Sequence, residues 1–288
     1  MILADWLLPD WPAPANVCAV FTTRHGGSSA APWDSMNLGD HVGDLPEHVA
    51  INRRRLQKAI SSRPVFLKQV HGVDVHYLSN SSADGAVGDA CLTRERGVAC
   101  TIMSADCLPV LLANTDGTAV AAVHAGWRGL AGMDGNAAKK SGKTAGKGVL
   151  ETTFSAFQAS KMHLDLSIRA QAAPEIIAWL GPCIGPTVFE VGAEVKAAFE
   201  ASQSGATQFF KPIRQGKYTA DLAGLARARL QALGIRQIYG NDGSAPWCTV
   251  GDPSRFFSHR RDTGAGAVAS GGNGFGATGR MAACVWLS

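Results

Sequence analysis

The sequence predicts an α+β fold, a mixed β-sheet core flanked by helices within a single domain over residues 1–288. Strand-like and helix-like segments are interspersed without the strict alternation that builds a doubly wound sheet. Two apolar, β-prone runs, Pro109–Ala113 and Thr118–Val123, flank the turn sequence Asn114-Thr115-Asp116-Gly117, a β-hairpin signal. No internal repeat divides the chain.

In chain order, a Pro- and Trp-rich lead-in (Pro9, Trp11, Pro12, Pro14) precedes a short strand, Val17–Phe21. Two loops follow, Thr22–Gly27 and Asn37–Gly39. Glu47–Ile60 reads as a helix that buries Val49, Leu56 and Ile60 and exposes Arg53, Arg54 and Lys58. Val65–Val70 is a strand delivering His71-Gly72 into a turn, and Val73–Leu78 is the next. After the hairpin, Leu130–Gly148 is glycine- and lysine-rich with little to bury, a surface excursion. Val149–Met162 is a helix, Ile176–Leu180 a buried strand, and Val188–Glu200 a helix. Asp221–Leu233 carries helix punctuation at both ends, with Asp221 as N-cap and Gly234 beyond the C-terminus. The glycine-rich stretch Thr263–Gly279 is a second flexible insert, and Met281–Leu287 is the last strand.

With 46% hydrophobic and 17% charged residues the chain is globular. Its net charge of +4 lacks the basic runs of a nucleic-acid binder, so nucleic acid is not an expected partner. No apolar run approaches the roughly 20 residues of a membrane span, and Met1–Asp10 holds no signal-peptide pattern. Seven cysteines without a Cys-x-x-Cys pair argue against a disulfide framework or a zinc knuckle, and reduced thiols fit a cytoplasmic protein. Ala137–Thr144 nearly matches an NTPase phosphate loop. Alanine stands where the first glycine belongs, however, and neither a strand nor an apolar helix flanks it.

The hairpin carries the chemistry. If Asn114 and Gly117 are the outer positions of a type I turn, paired residue numbers sum to 231 and Cys107 lies opposite His124. A two-residue Asp116-Gly117 loop shifts the pairing by two and leaves them diagonal neighbours. A thiol and an imidazole so placed are a packed core pair, a nucleophile and its base, or two ligands of a metal site with His71 as the third. Three Cys/His ligands leave a fourth position open, the pattern of catalytic zinc. The glycines of His124-Ala125-Gly126-Trp127-Arg128-Gly129 permit close backbone approach to a ligand. Arg24, Arg128, Arg260 and Arg261 lie in Gly- or Ser-containing turns, and a guanidinium fork suits phosphate.

Eight segments recur in order in one known family: Thr23-Arg24-x-Gly26-Gly27, Asn37-Leu38-Gly39, Gln69-Val70-His71-Gly72, Ala83-Asp84-Gly85, Asp106-Cys107-Leu108-Pro109, His124–Gly129, Gly181–Pro186 and Phe257–Asp262. The chain resembles, from about Asp5 to Leu287, the bacterial laccase-domain family, named polyphenol oxidase and later reassigned as purine nucleoside phosphorylase. The resemblance implies a fold distantly like the Cys–His toxin deamidases. It also implies a zinc ion, copper being the alternative, on His71, Cys107 and His124. Adenosine, inosine and S-methyl-5′-thioadenosine would be phosphorolysed, and adenosine deaminated. Arg24, Asn37, Gln69, Arg128, His259 and Arg260 are the expected substrate- and phosphate-binding residues, with Asp106 and His259 the candidates to protonate the leaving purine. The rival readings are a metal-free Cys/His hydrolase or deamidase and a copper-dependent polyphenol oxidase. No His-x-His pair supports multicopper chemistry.

Overall fold

A computed structural model describes residues 3–133, 147–162, 175–263 and 277–288. The inserts expected near 131–148 and 263–279 fall largely outside the described residues, as does Ala137–Thr144.

Six strands form the central sheet in the order β12 (Gln237–Gly240), β8 (Ile176–Leu180), β6 (Leu108–Asn114), β7 (Val120–Ala125), β4 (Ala90–Thr93) and β3 (Val75–Leu78). The two outer pairs, β12 with β8 and β4 with β3, are parallel and the inner pairs antiparallel. A second sheet runs β1 (Val17–Phe21), β13 (Met281–Leu287), β5 (Val98–Ser104) and β2 (Arg63–Phe66), with only β2 and β5 parallel. A small antiparallel sheet joins β10 (Phe210–Arg214), β11 (Lys217–Ala220) and β9 (Glu190–Gly192). The fold is α+β with mixed sheets, as the interspersed segments predict.

Alternation sorts the hairpin into two cores. Leu108, Val110 and Leu112 of β6, with Ala121, Val123 and Ala125 of β7, pack with α2 (Trp127–Ala131), α3 (Val149–Met162), α4 (Ala193–Ser202) and α5 (Leu222–Ala232). Leu111, Ala113, Val120 and Ala122 face the other way, onto Val65, Cys100, Ile102, Ala283 and Val285 of the second sheet. The far face of that sheet is covered by Leu56 and Ile60 of α1 (Pro46–Ile60). The layers therefore run helix, sheet, sheet, helices. A strand buried on both faces reads as a continuous apolar run, which is how β6 and β7 appear in the sequence.

The hairpin register differs from the type I expectation. Pro109 pairs with His124 and Ala113 with Val120, a sum of 233. The Asn114 N–H donates to the Ala119 carbonyl, so four residues form the loop. The Gly117 N–H donates to the Asn114 carbonyl, closing the turn, with Gly117 at φ +69°. Cys107 precedes β6 and is a diagonal neighbour of His124, the geometry expected of the shifted register.

Other boundaries moved for local reasons. The helix expected at Val188–Glu200 begins at Ala193, because Glu190–Gly192 pairs with β11 and the Gly192 N-cap is extended. The strands expected at Val65–Val70 and Val73–Leu78 run Arg63–Phe66 and Val75–Leu78. Asp221 caps α5 as expected, its carboxylate accepting from the Gly224 N–H at 2.8 Å. A short α6 (His259–Asp262) is capped by Ser258. No helix among the described residues is long and apolar enough to cross a membrane.

Candidate metal centre and cavity

Two turns and the C-terminal end of β7, all at one end of the two-sheet core, bring His71, Cys107 and His124 together. Their ligand atoms all lie within 4.8 Å of one another. Cys107 Sγ is 3.6 Å from His71 Nε2. The two imidazoles meet edge to face with centroids 4.8 Å apart. Zinc bonded at 2.3 Å to sulfur and about 2.0 Å to nitrogen separates tetrahedral ligands by about 3.5 Å, so the spacing and donor types fit such an ion.

Asp89 organises the set. Its Oδ1 accepts the His71 N–H (2.9 Å) and His124 Nδ1 (2.8 Å), and its Oδ2 accepts the N–H groups of Val70 (3.1 Å) and Gly72 (2.7 Å). The His124 N–H also donates to the Asp89 carbonyl. Taking its proton on Nδ1 leaves His124 with Nε2 as the free donor atom, the role carboxylates play behind metal-binding imidazoles. Two turns are left-handed at residues with side chains, His71 at φ +60° and Asp106 at φ +87°.

Burial opposes ionisation of Cys107, but the His124 and His71 imidazoles outweigh it and bring the thiol down to about 6. Burial likewise opposes charge on His124, and the Cys107 sulfur and the Asp89 carboxylate raise it to about 9. Both shifts favour a thiolate beside an imidazolium. Burial also works against the Asp89 charge, yet the bonds from His124, Gly72 and Val70 hold its carboxyl below the ordinary value. The other buried thiols contrast: burial pushes Cys284 up to about 12 and Cys183 well above the usual range.

The trio lines a cavity of about 400 Å³. Of the residues expected to bind substrate, Gln69, Arg128, His259 and Arg260 line it. Gln69 is anchored by paired bonds to the Met103 backbone. Arg260 donates to the Glu190 carbonyl, and Arg128 stacks over the Trp127 ring.

Arg24 and Asn37 are not in that lining. The Arg24 fork bonds Asp34 and the Pro253 carbonyl and lies over the Phe257 ring. Asn37 is buried and spends its amide on Gly39, Asp44 and the Arg280 N–H. Both knit loops together. Asp106 does line the cavity, but its carboxylate accepts from Thr249 Oγ1, Ser258 Oγ and the Arg260 N–H. It ties α6 to the Cys107 turn, which leaves it poorly placed to protonate a substrate.

Sequence reasoning missed Asp89, His41 and Arg280. Asp89 lies in Gly88-Asp89-Ala90, where no spacing marks it, and Arg280 directly follows the glycine-rich stretch Thr263–Gly279. The glycines after His124 serve the protein itself. A Cβ on Gly126 would stand 2.6 Å from the His71 ring and 3.3 Å from Cys107 Sγ, and one on Gly129 would meet the Gly72 carbonyl at 2.4 Å. Gly126→Ala is therefore expected to displace His71. Titration of the purified variant with zinc should show affinity weakened about 10- to 100-fold, the loss typical when ligand orientation is disturbed.

Residues 18–288 match the family model described as multi-copper polyphenol oxidoreductase laccase. The chain belongs to this family. It is 44% identical over 288 residues to a Shigella flexneri protein named purine nucleoside phosphorylase YfiH, covering 99% of this chain and 100% of that one. A Pseudomonas aeruginosa purine nucleoside phosphorylase is 44% identical, with 98% of each chain covered. Among solved structures, Neisseria meningitidis protein NMB0706 superposes with a TM-score of 0.80 at 39% identity over 99% of both chains. YlmD from Geobacillus stearothermophilus gives 0.80 at 29%, over 100% of this laccase-family chain and 97% of its own.

Proposed function

We propose that this chain is a zinc-dependent purine nucleoside phosphorylase of the cytoplasm, one domain acting on inosine, adenosine and S-methyl-5′-thioadenosine, with adenosine deamination as a second activity. One observation carries the reading: three Cys/His donors converge on a cavity rimmed by Arg128 and Arg260. The relatives' names point the same way.

His71, Cys107 and His124 would hold the ion, with Asp89 orienting the first and last. When bound, zinc supplies Lewis acidity and acidifies water near neutral pH, which deamination requires. For phosphorolysis the protein's own groups do the rest. Arg128 and Arg260 bind phosphate, and a phosphate oxygen attacks the ribose C1′. The C1′–N9 bond breaks, its electron pair passes to the purine, and a proton is delivered to that base, His259 being the donor at the cavity lining. Orientation and fixed positive charge supply most of the rate.

The test is hypoxanthine release from inosine with and without phosphate. Release that requires phosphate and yields equimolar ribose 1-phosphate is expected; phosphate-independent release would replace phosphorolysis with hydrolysis. Chelation should remove the activity, and zinc should restore it better than copper.

A second reading has its own support. Cys107, His124 and Asp89 also form a nucleophile, an imidazole and an orienting carboxylate, the arrangement of a metal-free hydrolase or deamidase. Full turnover by protein shown by elemental analysis to be free of metal would favour it. Multicopper oxidation of phenols has less support: His71, Cys107 and His124 are the one such cluster among the described residues.

A further inference from the structure

Arg280 is a cation in the cavity lining with no carboxylate partner among the described residues. Nη1 donates to the carbonyls of Thr278 and Gly279, both at 3.0 Å, which fixes the plane of the guanidinium fork. Nε and Nη2 have no hydrogen bond within the described residues. A half-buried guanidinium is normally satisfied by an acid. The acid beside this one, Asp106, is already committed to Thr249, Ser258 and the Arg260 N–H.

Two segments far apart in sequence interlock to hold Arg280 there. Its N–H donates to Asn37 Oδ1 at 2.9 Å, and its carbonyl accepts from the Leu38 N–H at 3.1 Å. A Cβ on Gly39 would lie 2.8 Å from Arg280 Cγ, so only glycine leaves room for the stem. On the other side, Thr278 Oγ1 donates to Asp262, and a Cβ on Gly279 would strike the Phe257 ring at 2.6 Å. Asn37-Leu38-Gly39 and Thr278-Gly279 are thus a seat for one side chain. His41 and His259 line the same cavity, and beyond the effect of burial the Arg280 charge depresses the proton affinity of both.

We propose that Arg280 is the main anchor of a tetrahedral oxyanion in the cavity, that this oxyanion is inorganic phosphate, and that Asn37 is a positioning residue acting through Arg280. The proposal rests on the phosphorolysis reading above. A fixed guanidinium presenting Nε and Nη2 side by side offers the two-pronged contact that phosphate oxygens accept.

Calorimetric titration of inorganic phosphate into zinc-loaded protein is the test, run on wild type, Arg280→Met, Arg280→Lys and Asn37→Ala, with KM for phosphate and for inosine measured in parallel. Arg280→Met should raise the phosphate Kd and KM about 10- to 100-fold, the range for a charge-assisted hydrogen bond, and leave the inosine KM unchanged. Arg280→Lys should recover part of the loss, keeping charge but not the fork. Asn37→Ala should shift the phosphate KM in the same direction while kcat moves less. Phosphate binding unchanged in both Arg280 variants would overturn the proposal, as would loss of inosine 5′-monophosphate binding with inorganic phosphate binding intact. Wild type that binds phosphate through Arg280 yet releases no hypoxanthine would refute the phosphorylase reading alone. Should Arg280→Met fail to fold by circular dichroism, the lysine variant decides.

Discussion

Cys107→Ala is expected to lower hypoxanthine release from inosine and phosphate about a thousandfold. A bound ion contributes several kcal/mol of charge stabilisation, and each 1.4 kcal/mol or so is a factor of ten in rate. With the thiolate gone, His71 and His124 alone hold zinc weakly, and elemental analysis should find the variant largely empty. The same thiol provides an independent readout. In chelated wild type, thiolate forms as pH rises through about 6, so iodoacetamide labelling of Cys107 should reach half its limiting rate there, against about 8.5 for an ordinary cysteine. Zinc should protect the sulfur at every pH. Undiminished turnover by Cys107→Ala would remove Cys107 from the mechanism.

Asp89→Asn should be the most damaging isosteric change at the site. Each carboxylate oxygen accepts two donors, Val70 and Gly72 N–H on one, His71 N–H and His124 Nδ1 on the other. Whichever way an amide is turned, its NH2 faces two of those donors. Two buried donors left unsatisfied cost roughly 2–6 kcal/mol, a fall in Tm of about 10 °C for a chain of this size. His71 and His124 would lose their common anchor, so zinc affinity should drop with stability. The pH dependence has a definite sign. The folded pKa of Asp89 lies below its unfolded value, so its stabilisation is complete above about pH 4 and is lost as pH falls through the folded pKa. In thermal melts from pH 7 to pH 3, wild type should lose stability on acidification over that interval more than Asp89→Asn does. Parallel curves for the two would show that the carboxylate charge is not what holds the turns.

Much of the scaffold was legible. Strand Val17–Phe21, strand Ile176–Leu180, helix Val149–Met162 and strand Met281–Leu287 appear as expected, the strands because they are short apolar runs and the helix because Leu150, Phe154 and Phe157 recur at helical spacing. The hairpin's existence was plain, but its register was not. Both faces of β6 and β7 are apolar, so no polar stripe indicates which residues stand opposite, and the four-residue loop was one of several the turn sequence allows. The clustering of His71, Cys107 and His124 was approachable because few residue types carry such chemistry. Asp89 was not, since its importance comes from donors gathered from another loop, Val70–Gly72, and from strand β7. Arg24 and Asn37 show the complementary difficulty: a constrained polar residue in a glycine-bearing loop looks the same whether its partner is a ligand or the protein's own backbone.

The left-handed backbone at His71 and Asp106 bears on how this lineage can drift. Each such conformation in a residue with a side chain costs on the order of 1 kcal/mol or more, and glycine would adopt either more readily. At Asp106 the three hydrogen bonds its carboxylate accepts outweigh that strain. Descendants freed from the chemistry should therefore accumulate glycine or asparagine early at position 71 alone, gaining heat resistance as they fall silent. That position offers a simple marker for separating working copies from retired ones.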